Sequence, residues 1–281
     1  MYSVKLIGMF CLCSLVTSVS SADSALTLRY EQPHWLILQS ERLPAGEIRI
    51  NYLEAYCRAG STVADWVGHT VIPHRPEMLS INENRTIVEL RDVLEDGLEV
   101  RHTITAKNDE VNFRIVAHNR TGMRSEAHWA QPCIRLGEFT GFAARGGDLD
   151  DYLPKCFIFI NGKLTRLPNV DPWALQARYV PGQVWCPKSV PRSDVNPRPL
   201  SSIIPSNGLI GCFSGDESLI FGVAFEPYQE LFQGVARCLH SDFRLGGLES
   251  GETKTIRGKV YLIEGNADDL LERYLRDFPE H

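Results

Sequence analysis

The sequence lacks several features that would assign it to common classes of protein. After the N-terminal region, no apolar run approaches the roughly 20 residues that span a bilayer. No run of Lys and Arg stands out either, and the formal net charge is −6. Nucleic acid is therefore a poor partner, and no membrane partner is expected once the N-terminal segment is removed. Internal repeats and low-complexity segments are also missing.

The sequence also lacks a CxxC pair, the spacing typical of thiolate zinc sites, so it predicts neither a metal nor another cofactor. Cys11 and Cys13 belong to the N-terminal apolar segment. The other six would allow one to three disulfides in an oxidising compartment, although free cysteines also occur as small buried side chains. These six are Cys57, Cys133, Cys156, Cys186, Cys212 and Cys238.

The first 22 residues are typical of a secretory signal peptide. Lys5 precedes an apolar run of about 11 residues, Leu6 to Val16, which suits a signal peptide and is too short to cross a bilayer. Ser20 and Ala22 form a small-x-small cleavage site. The same run would also suit the start of a buried helix. We expect a secreted or periplasmic protein whose mature chain, residues 23–281, is a single domain.

Most later apolar segments are short and alternate with polar residues, as β-strands do. Leu98 to Thr105 and Val111 to Ala117 flank a polar turn and predict a hairpin. Further strands are predicted at Lys155 to Ile160 and on both sides of Gly215. The proline-rich stretch from Pro181 to Pro205 predicts a long ordered loop, or a linker, because proline is excluded from central strands.

Only the C-terminus predicts a helix. Asn266 is a suitable N-cap, and Asp268 and Asp269 suit the positive end of the helix dipole. An apolar face is formed by Leu270, Leu271, Tyr274, Leu275 and Phe278. Many strands and one helix predict an all-β fold, a large antiparallel two-sheet sandwich or supersandwich with a C-terminal helix.

Glu226 is the most informative charged residue, because it ends the apolar run Leu219 to Phe225. An unpaired buried carboxylate is costly, so such a residue has a salt partner, lies in a wet cleft or takes part in chemistry. Arg237, His240 and Arg244 follow closely in the chain and are candidate partners that would make Glu226 structural.

His128 is the second candidate for chemistry, since it opens a segment soon after a predicted strand ends at Asn119. Imidazole is the side chain best suited to acid–base work near neutral pH. The adjacent Trp129 could offer an apolar face to a sugar ring. A structural histidine beside a core tryptophan is the alternative.

The order of these parts resembles the galactose-mutarotase-like, or aldose 1-epimerase-like, β-supersandwich family. There a hairpin leads to an Asn-containing strand end and a catalytic His, and a later apolar strand ends in a catalytic Glu. The matching parts are Leu98 to Asn119, His128, Phe221 to Glu226, Gly251-Glu252 and Ile256 to Ile263. Directly after His128 the chain lacks the family's aromatic-rich run.

This resemblance implies an aldose epimerase-like isomerase that interconverts sugar anomers on a mono- or oligosaccharide. His128 would be the general acid near the ring oxygen, and Glu226 the general base on the anomeric hydroxyl. The same fold also serves non-catalytic carbohydrate-binding proteins and polysaccharide lyases or hydrolases, so it does not fix the reaction.

Other polar and aromatic residues are candidates for the sugar site. Three histidines could line a cleft or bind a metal, although they show no recognised ligand spacing. Two residues of the proline-rich loop could stack on a ring or plug the core, and three near the end of the chain could hold hydroxyls. The predicted substrate-binding set is Trp129, His69, His74, His102, Gln183, Trp185, His240, Asp242 and Arg244.

Overall fold

Antiparallel strands and one α-helix form the regular structure. The computed structural model describes residues 25–60, 66–142, 152–167, 184–195, 200–234 and 236–280, so the predicted signal peptide and Gln183 lie outside the described residues. The strands are β1 (Thr27–Glu31), β2 (Trp35–Gln39), β3 (Glu47–Cys57), β4 (Val71–Ile72), β5 (His74–Ile81), β6 (Ile87–Leu94), β7 (Glu99–Ala106), β8 (Glu110–His118), β9 (Trp129–Arg135), β10 (Cys156–Ile160), β11 (Lys163–Arg166), β12 (Val184–Trp185), β13 (Leu209–Phe213), β14 (Leu219–Glu226), β15 (Tyr228–Gly234), β16 (Cys238–Arg244) and β17 (Thr253–Glu264). The helix is α1 (Ala267–Asp277).

The strands form two antiparallel sheets, which confirms the predicted all-β sandwich with a C-terminal helix. An eight-stranded sheet has the order β1-β2-β3-β9-β16-β15-β12, with β4 beside β3. A nine-stranded sheet has the order β11-β10-β13-β14-β17-β8-β7-β6-β5. Consecutive strands β14 and β15 belong to different sheets, so the chain crosses from one sheet to the other between Glu226 and Tyr228.

The hairpins predicted from alternation are confirmed. Strands β7 and β8 pair from Glu99 opposite His118 to Ala106 opposite Val111. Strands β13 and β14 pair around the turn that contains Gly215. Asn161 and Gly162 connect β10 to β11 with φ angles of 52° and 72°, the left-handed conformations that a two-residue hairpin turn requires. Among its described residues, the proline-rich stretch contributes one named strand, the two-residue β12, at the edge of a sheet.

Strand β14 is apolar without interruption because both of its faces are covered. Phe221, Val223 and Phe225 belong to the large core between the two sheets. Ile220 and Ala224 point the other way and pack with the C-terminal helix. A strand that is buried on both faces has no polar side to alternate with.

Helix α1 begins with the predicted cap. Asn266 Oδ1 accepts hydrogen bonds from the backbone N–H groups of Asp268 (2.9 Å) and Asp269 (3.0 Å), and the Asp269 carboxylate accepts one from the N–H of Asn266. Leu270 and Tyr274 are buried against the nine-stranded sheet, whereas Leu275, predicted on the same face, is 47% exposed. In the described part of the chain no helix has the length and apolarity needed to cross a membrane.

The packing of β13 predicts a sharp difference between two glycines. A Cβ on Gly211 would lie 2.4 Å from the Phe221 carbonyl oxygen and 2.5 Å from the Phe157 ring, whereas one on Gly122 would meet nothing within 4 Å. We expect Gly211→Ala to lower the free energy of unfolding by about 1–3 kcal/mol, as overpacking does. Gly122→Ala should change it by less than about 0.5 kcal/mol. Urea unfolding of the two variants checks this, and equal losses would contradict the described packing.

Candidate functional site on the eight-stranded sheet

The outer face of the eight-stranded sheet carries an unusual set of buried polar side chains. Along β16, Leu239 and Phe243 point into the core between the sheets. Because successive side chains alternate, Cys238, His240 and Asp242 point to the opposite, outer face. All three are at most 3% exposed. Polar groups on a solvated sheet surface are exposed, whereas these are buried and need hydrogen-bond partners. We therefore treat this face as the candidate functional site.

The register of the neighbouring strands completes this face. Strand β15 pairs with one edge of β16, and β9 pairs with the other. The rows of outward residues, from β9 across β16 to β15, are Gln131–Asp242–Glu230, Cys133–His240–Phe232 and Arg135–Cys238–Gly234. We call the buried ionisable and amide members of these rows the polar face; they are Gln131, Cys133, Glu230, Cys238, His240 and Asp242.

Two carboxylates lie directly opposite each other on the polar face. Glu230 and Asp242 are cross-strand partners, and both are 0% exposed. Such partners have Cβ atoms about 4.5–5.5 Å apart, and like charges at that separation are destabilising. Burial raises the pKa of Asp242 to about 7, and the proximity of His240 opposes this rise. A pair of this kind can hold one proton between two acids, which is an arrangement used for acid–base chemistry.

His240 connects the carboxylates to the thiols. Its Nδ1 lies 3.3 Å from Asp242 Oδ1, and its Nε2 lies 3.4 Å from Cys238 Sγ. Burial alone would lower the pKa of His240, but the charge of Cys238 and the hydrogen bond to Asp242 outweigh burial and raise it to about 10. Hydrogen bonding with Cys133 and the charge of His240 hold the pKa of Cys238 well below its usual range. The ring of Phe232 stacks on the imidazole at 4.1 Å and fixes its plane.

His128 lies at the accessible edge of this face. Its Nδ1 is 3.7 Å from Asp194 Oδ2, and the same carboxylate accepts a hydrogen bond from Arg244 at 2.9 Å. The side chains of His128 and Arg244 are 13% and 17% exposed, whereas that of Asp194 is 3% exposed. We call His128, Asp194 and Arg244 the rim.

A glycine is required where the chain passes His128. Gly247 has a φ of +73°, and a Cβ there would lie 3.1 Å from His128 Nε2 and 2.4 Å from the Arg124 guanidinium. Only glycine combines that backbone conformation with so close an approach. The Gly246-Gly247 turn therefore holds one side of the imidazole ring.

Glu226, the predicted general base, lies in a different environment. Its side chain shares the face of β14 that packs on helix α1, and its Oε1 accepts a hydrogen bond of 2.5 Å from the Tyr274 hydroxyl. Glu226 is 5% exposed. The suggested partners His240 and Arg244 are instead bonded to Asp242 and Asp194. His128 and Glu226 therefore face different parts of the molecule, one at the eight-stranded sheet and the other at the helix.

The predicted aromatic contacts are buried. Trp129 is 0% exposed and packs against Trp66 at 6.2 Å on the outer face of the eight-stranded sheet. Trp185, on strand β12, is 0% exposed and belongs to the core between the sheets. Of the two interpretations of Trp185, the structure gives the one in which it plugs the core.

Of the three histidines considered as metal ligands, His69 lies apart from His74 and His102. His69 is exposed on the turn Trp66–Thr70. His74 and His102 belong to a polar network in the interior, where His102 Nε2 lies 3.0 Å and the Tyr56 hydroxyl 2.9 Å from Asp92 Oδ2. These histidines therefore do not form the metal site that was one interpretation of their spacing. The network ties the two sheets together, because Tyr56 comes from one sheet and His102 from the other.

The disulfide prediction finds no support. All six cysteines that follow the N-terminal apolar segment are free and buried. Cys156 and Cys212 face each other across β10 and β13 inside the core, which is the small-hydrophobe interpretation of a free cysteine. Cys133 and Cys238, by contrast, lie on the polar face.

Sequence reasoning missed Glu230, Asp194 and Cys133 as site residues. Glu230 lies two residues before Phe232 on β15, so the alternation of side chains along the strand could have placed both on the same face. Asp194 ends a short 3₁₀ turn in the proline-rich stretch, and nothing in its sequence neighbourhood marks it. The nearness of Cys133 to Cys238 depends on pairing between β9 and β16, which lie about a hundred residues apart in the chain.

Two grooves lie away from the polar face. One of 470 Å³ lies on the nine-stranded sheet between Arg114 and Arg257, beside the end of helix α1. Another of 610 Å³ lies between Pro73 and Glu95. Neither is lined by the polar face or by the rim.

The chain resembles known proteins in structure rather than in sequence. No protein-family model matches it, and no curated protein matches it. A solved structure of a putative aldose 1-epimerase from Escherichia coli K12 covers 85% of this chain and 99% of its own, with 10% identity and a TM-score of 0.44. A galactose mutarotase-like protein from Lactobacillus casei ATCC 334 covers 85% and 100%, with 10% identity and a TM-score of 0.40.

A polysaccharide lyase covers 90% of this chain and 35% of its own, with 11% identity and a TM-score of 0.42. The structures found include an aldose 1-epimerase-like and a galactose mutarotase-like protein, the family that the order of the motifs resembles. Scores below 0.5 and identities near 10% transfer no residue role to this chain.

The interior network predicts a pH-dependent loss of stability in Asp92→Asn. Burial alone would raise the pKa of Asp92, but hydrogen bonds from His102 outweigh burial and lower it below 3.8. A lowered carboxyl pKa stabilises the fold above the ordinary carboxyl range, and the contribution is lost as the pH falls through the lowered value. We expect Asp92→Asn to cost about 2–3 kcal/mol at pH 7. The gap to wild type should close in acid.

Urea unfolding between pH 7 and pH 3 measures this effect, with Glu83→Gln as an exposed control. A gap between wild type and Asp92→Asn that is constant over this range would contradict the proposed charge on Asp92. Burial also lowers the pKa of His34 and His74, so both proteins should begin to lose stability as the pH falls below about 6.5.

Proposed function

We propose that the protein binds a mono- or oligosaccharide against the polar face and catalyses proton transfer at its anomeric centre. The observation that carries this proposal is the combination of two opposed buried carboxylates, Glu230 and Asp242, with the rim histidine on the same sheet. Interconversion of anomers needs one group that gives a proton to the ring oxygen and another that takes one from the anomeric hydroxyl.

His128 is the proposed acid. The carboxylate of Asp194 lies 3.7 Å from Nδ1, and Arg244 holds that carboxylate in turn. The 13% exposure of the His128 side chain allows a sugar to reach it, whereas His240 is 2% exposed and already bonded to Asp242. An accessible imidazole is a better proton donor to a bound ligand than an enclosed one.

Glu230 is the proposed base, in place of Glu226. It is the carboxylate of β15 that shares the outer face with Gln131 and Asp242, whereas Glu226 is bonded to the helix through Tyr274. Gln131 and Arg244 offer amide and guanidinium donors, which suit the hydroxyl groups of a sugar.

A non-catalytic carbohydrate-binding protein is the second candidate, and the burial of the polar face favours it. Glu230 and Asp242 are 0% exposed, so a ligand that contacts only the rim would leave them untouched. Such a protein would bind a sugar without accelerating exchange between its anomers.

Two matched glutamate variants test the proposed base. We expect Glu230→Gln to lower the rate of anomeric exchange, measured by NMR on common aldoses, by about 10²–10⁴-fold, since that is the usual contribution of a general base. Glu226→Gln should stay within a few-fold of wild type. His128→Asn should show a loss comparable to that of Glu230→Gln.

A loss in Glu226→Gln with full activity in Glu230→Gln would return the role to Glu226. If the wild-type protein exchanges no aldose, a thermal-shift screen of the same sugars distinguishes the two candidates. At a sugar concentration of about 100 Kd, binding stabilises the folded protein by about 2.7 kcal/mol. Stabilisation without exchange would support the binding protein and overturn the enzyme.

We also propose that the protein is exported, on the strength of residues 1–22. A secreting host should release a chain that begins at Asp23, as intact-mass measurement would show. Leu12→Arg interrupts the apolar run and should keep the protein inside the cell. Recovery of a chain that starts at Met1 from the medium in both cases would contradict export by cleavage.

A further inference from the structure

Two thiols and an imidazole converge on the polar face. The ligand atoms of Cys133, Cys238 and His240 all lie within 4.8 Å of one another, and all three residues are buried. Among the described residues, this is the group of His, Cys, Asp and Glu side chains close enough to share one ion. The register explains the convergence, because Cys133 lies beside His240 and Cys238 lies two residues from His240 on the same strand.

We propose that Cys133, Cys238 and His240 form a zinc-binding site. Thiolate and imidazole are the ligands that Zn²⁺ prefers, and two cysteines with one histidine leave a fourth tetrahedral position for water or a ligand oxygen. Two thiolates and a neutral imidazole balance the charge of the ion, which removes the cost of burying an isolated thiolate. This proposal is independent of the sugar chemistry proposed above.

The surroundings of His240 fit a metal ligand. Nδ1 lies 3.3 Å from Asp242 Oδ1, so Nε2, 3.4 Å from Cys238 Sγ, is the nitrogen that would bind the ion in place of a proton. A carboxylate behind a ligating histidine is the usual outer partner in zinc sites, because it fixes the tautomer and makes the ring more basic. Phe232, stacked at 4.1 Å, restricts rotation of the ring.

The neighbouring strand leaves room for the site. Gly234 lies opposite Cys238, and a Cβ on it would be 2.4 Å from Cys238 Sγ and 3.4 Å from His240 Nε2. Any larger residue would fill the space beside both ligand atoms.

A disulfide explains the arrangement less well. Cys133 lies opposite His240, so Cys238 is its diagonal neighbour, and such neighbours are about 7–8 Å apart. Disulfides usually need Cα atoms about 4.4–6.8 Å apart. A disulfide would also give no role to the imidazole held by Asp242 at the same point. Cys156 and Cys212 differ from the pair Cys133 and Cys238, because they lie directly opposite each other and inside the apolar core.

Cobalt titration tests the site without any sugar. Wild-type protein is reduced, stripped with a chelator and titrated with Co²⁺, whose thiolate charge-transfer and tetrahedral absorption bands report its ligands. We expect about one equivalent to bind and Zn²⁺ to displace it. Metal analysis of the purified, unstripped protein should find zinc. Circular dichroism before titration confirms that each variant is folded.

Matched cysteine variants locate the ligands. Cys133→Ala, Cys238→Ala and His240→Phe should lose the thiolate-linked bands or their tetrahedral shape, whereas Cys212→Ala should titrate like wild type. Asp242→Asn keeps all three ligands and should weaken affinity by about 10–100-fold, the usual effect of removing an outer partner. If a variant does not fold, protection of two thiols from alkylation by Zn²⁺ in the wild type gives the same information.

Three results would overturn the proposal. The first is a reduced wild-type protein that takes up no Co²⁺ into a thiolate site. The second is equal binding by Cys212→Ala and Cys133→Ala. The third is a Cys133–Cys238 disulfide found by mass spectrometry in the protein as purified under non-reducing conditions. Anomeric exchange plays no part in these measurements, so their outcome does not depend on the proposed sugar chemistry.

Discussion

The alternation of side chains along β16 is the constraint on which the candidate site depends. Leu239 and Phe243 hold the strand in the core, so His240 and Asp242, which alternate with them, must point outward. A shift of one residue would turn His240 and Asp242 into the apolar core, where neither would find its present partners. The same inward residues that stabilise the sandwich therefore determine which groups meet on its outer face.

The polar face is stable only as a unit. An isolated buried carboxylate or imidazolium would cost free energy. Here each buried group has a hydrogen-bond partner, since Cys238 pairs with His240 and His240 pairs with Asp242. Removing one member changes the charge that the others experience. The rim is built differently, because Arg244 and His128 share one carboxylate and remain partly exposed.

The sequence predicted most of the fold because the necessary signals are local. Alternation revealed the β7–β8 hairpin, and the capping residues revealed the start of helix α1. The environment of Glu226 was not predictable in this way, since the chain changes sheets between Glu226 and Tyr228. Two glutamates four residues apart consequently face the helix and the polar face. The pairing of β9 with β16, which brings Cys133 to His240, leaves no local signal at all.

The two proposals use different histidines, and the surroundings of His240 explain why. A ring whose Nε2 binds a metal and whose Nδ1 is held by Asp242 has no nitrogen left to exchange protons with a ligand. If zinc occupies the thiol site, proton donation to a sugar has to come from another imidazole. His128 is the histidine on the same sheet that is partly exposed and has a carboxylate beside Nδ1. Metal binding by the thiols of the polar face and acid–base chemistry at the rim are therefore compatible, because they use different histidines.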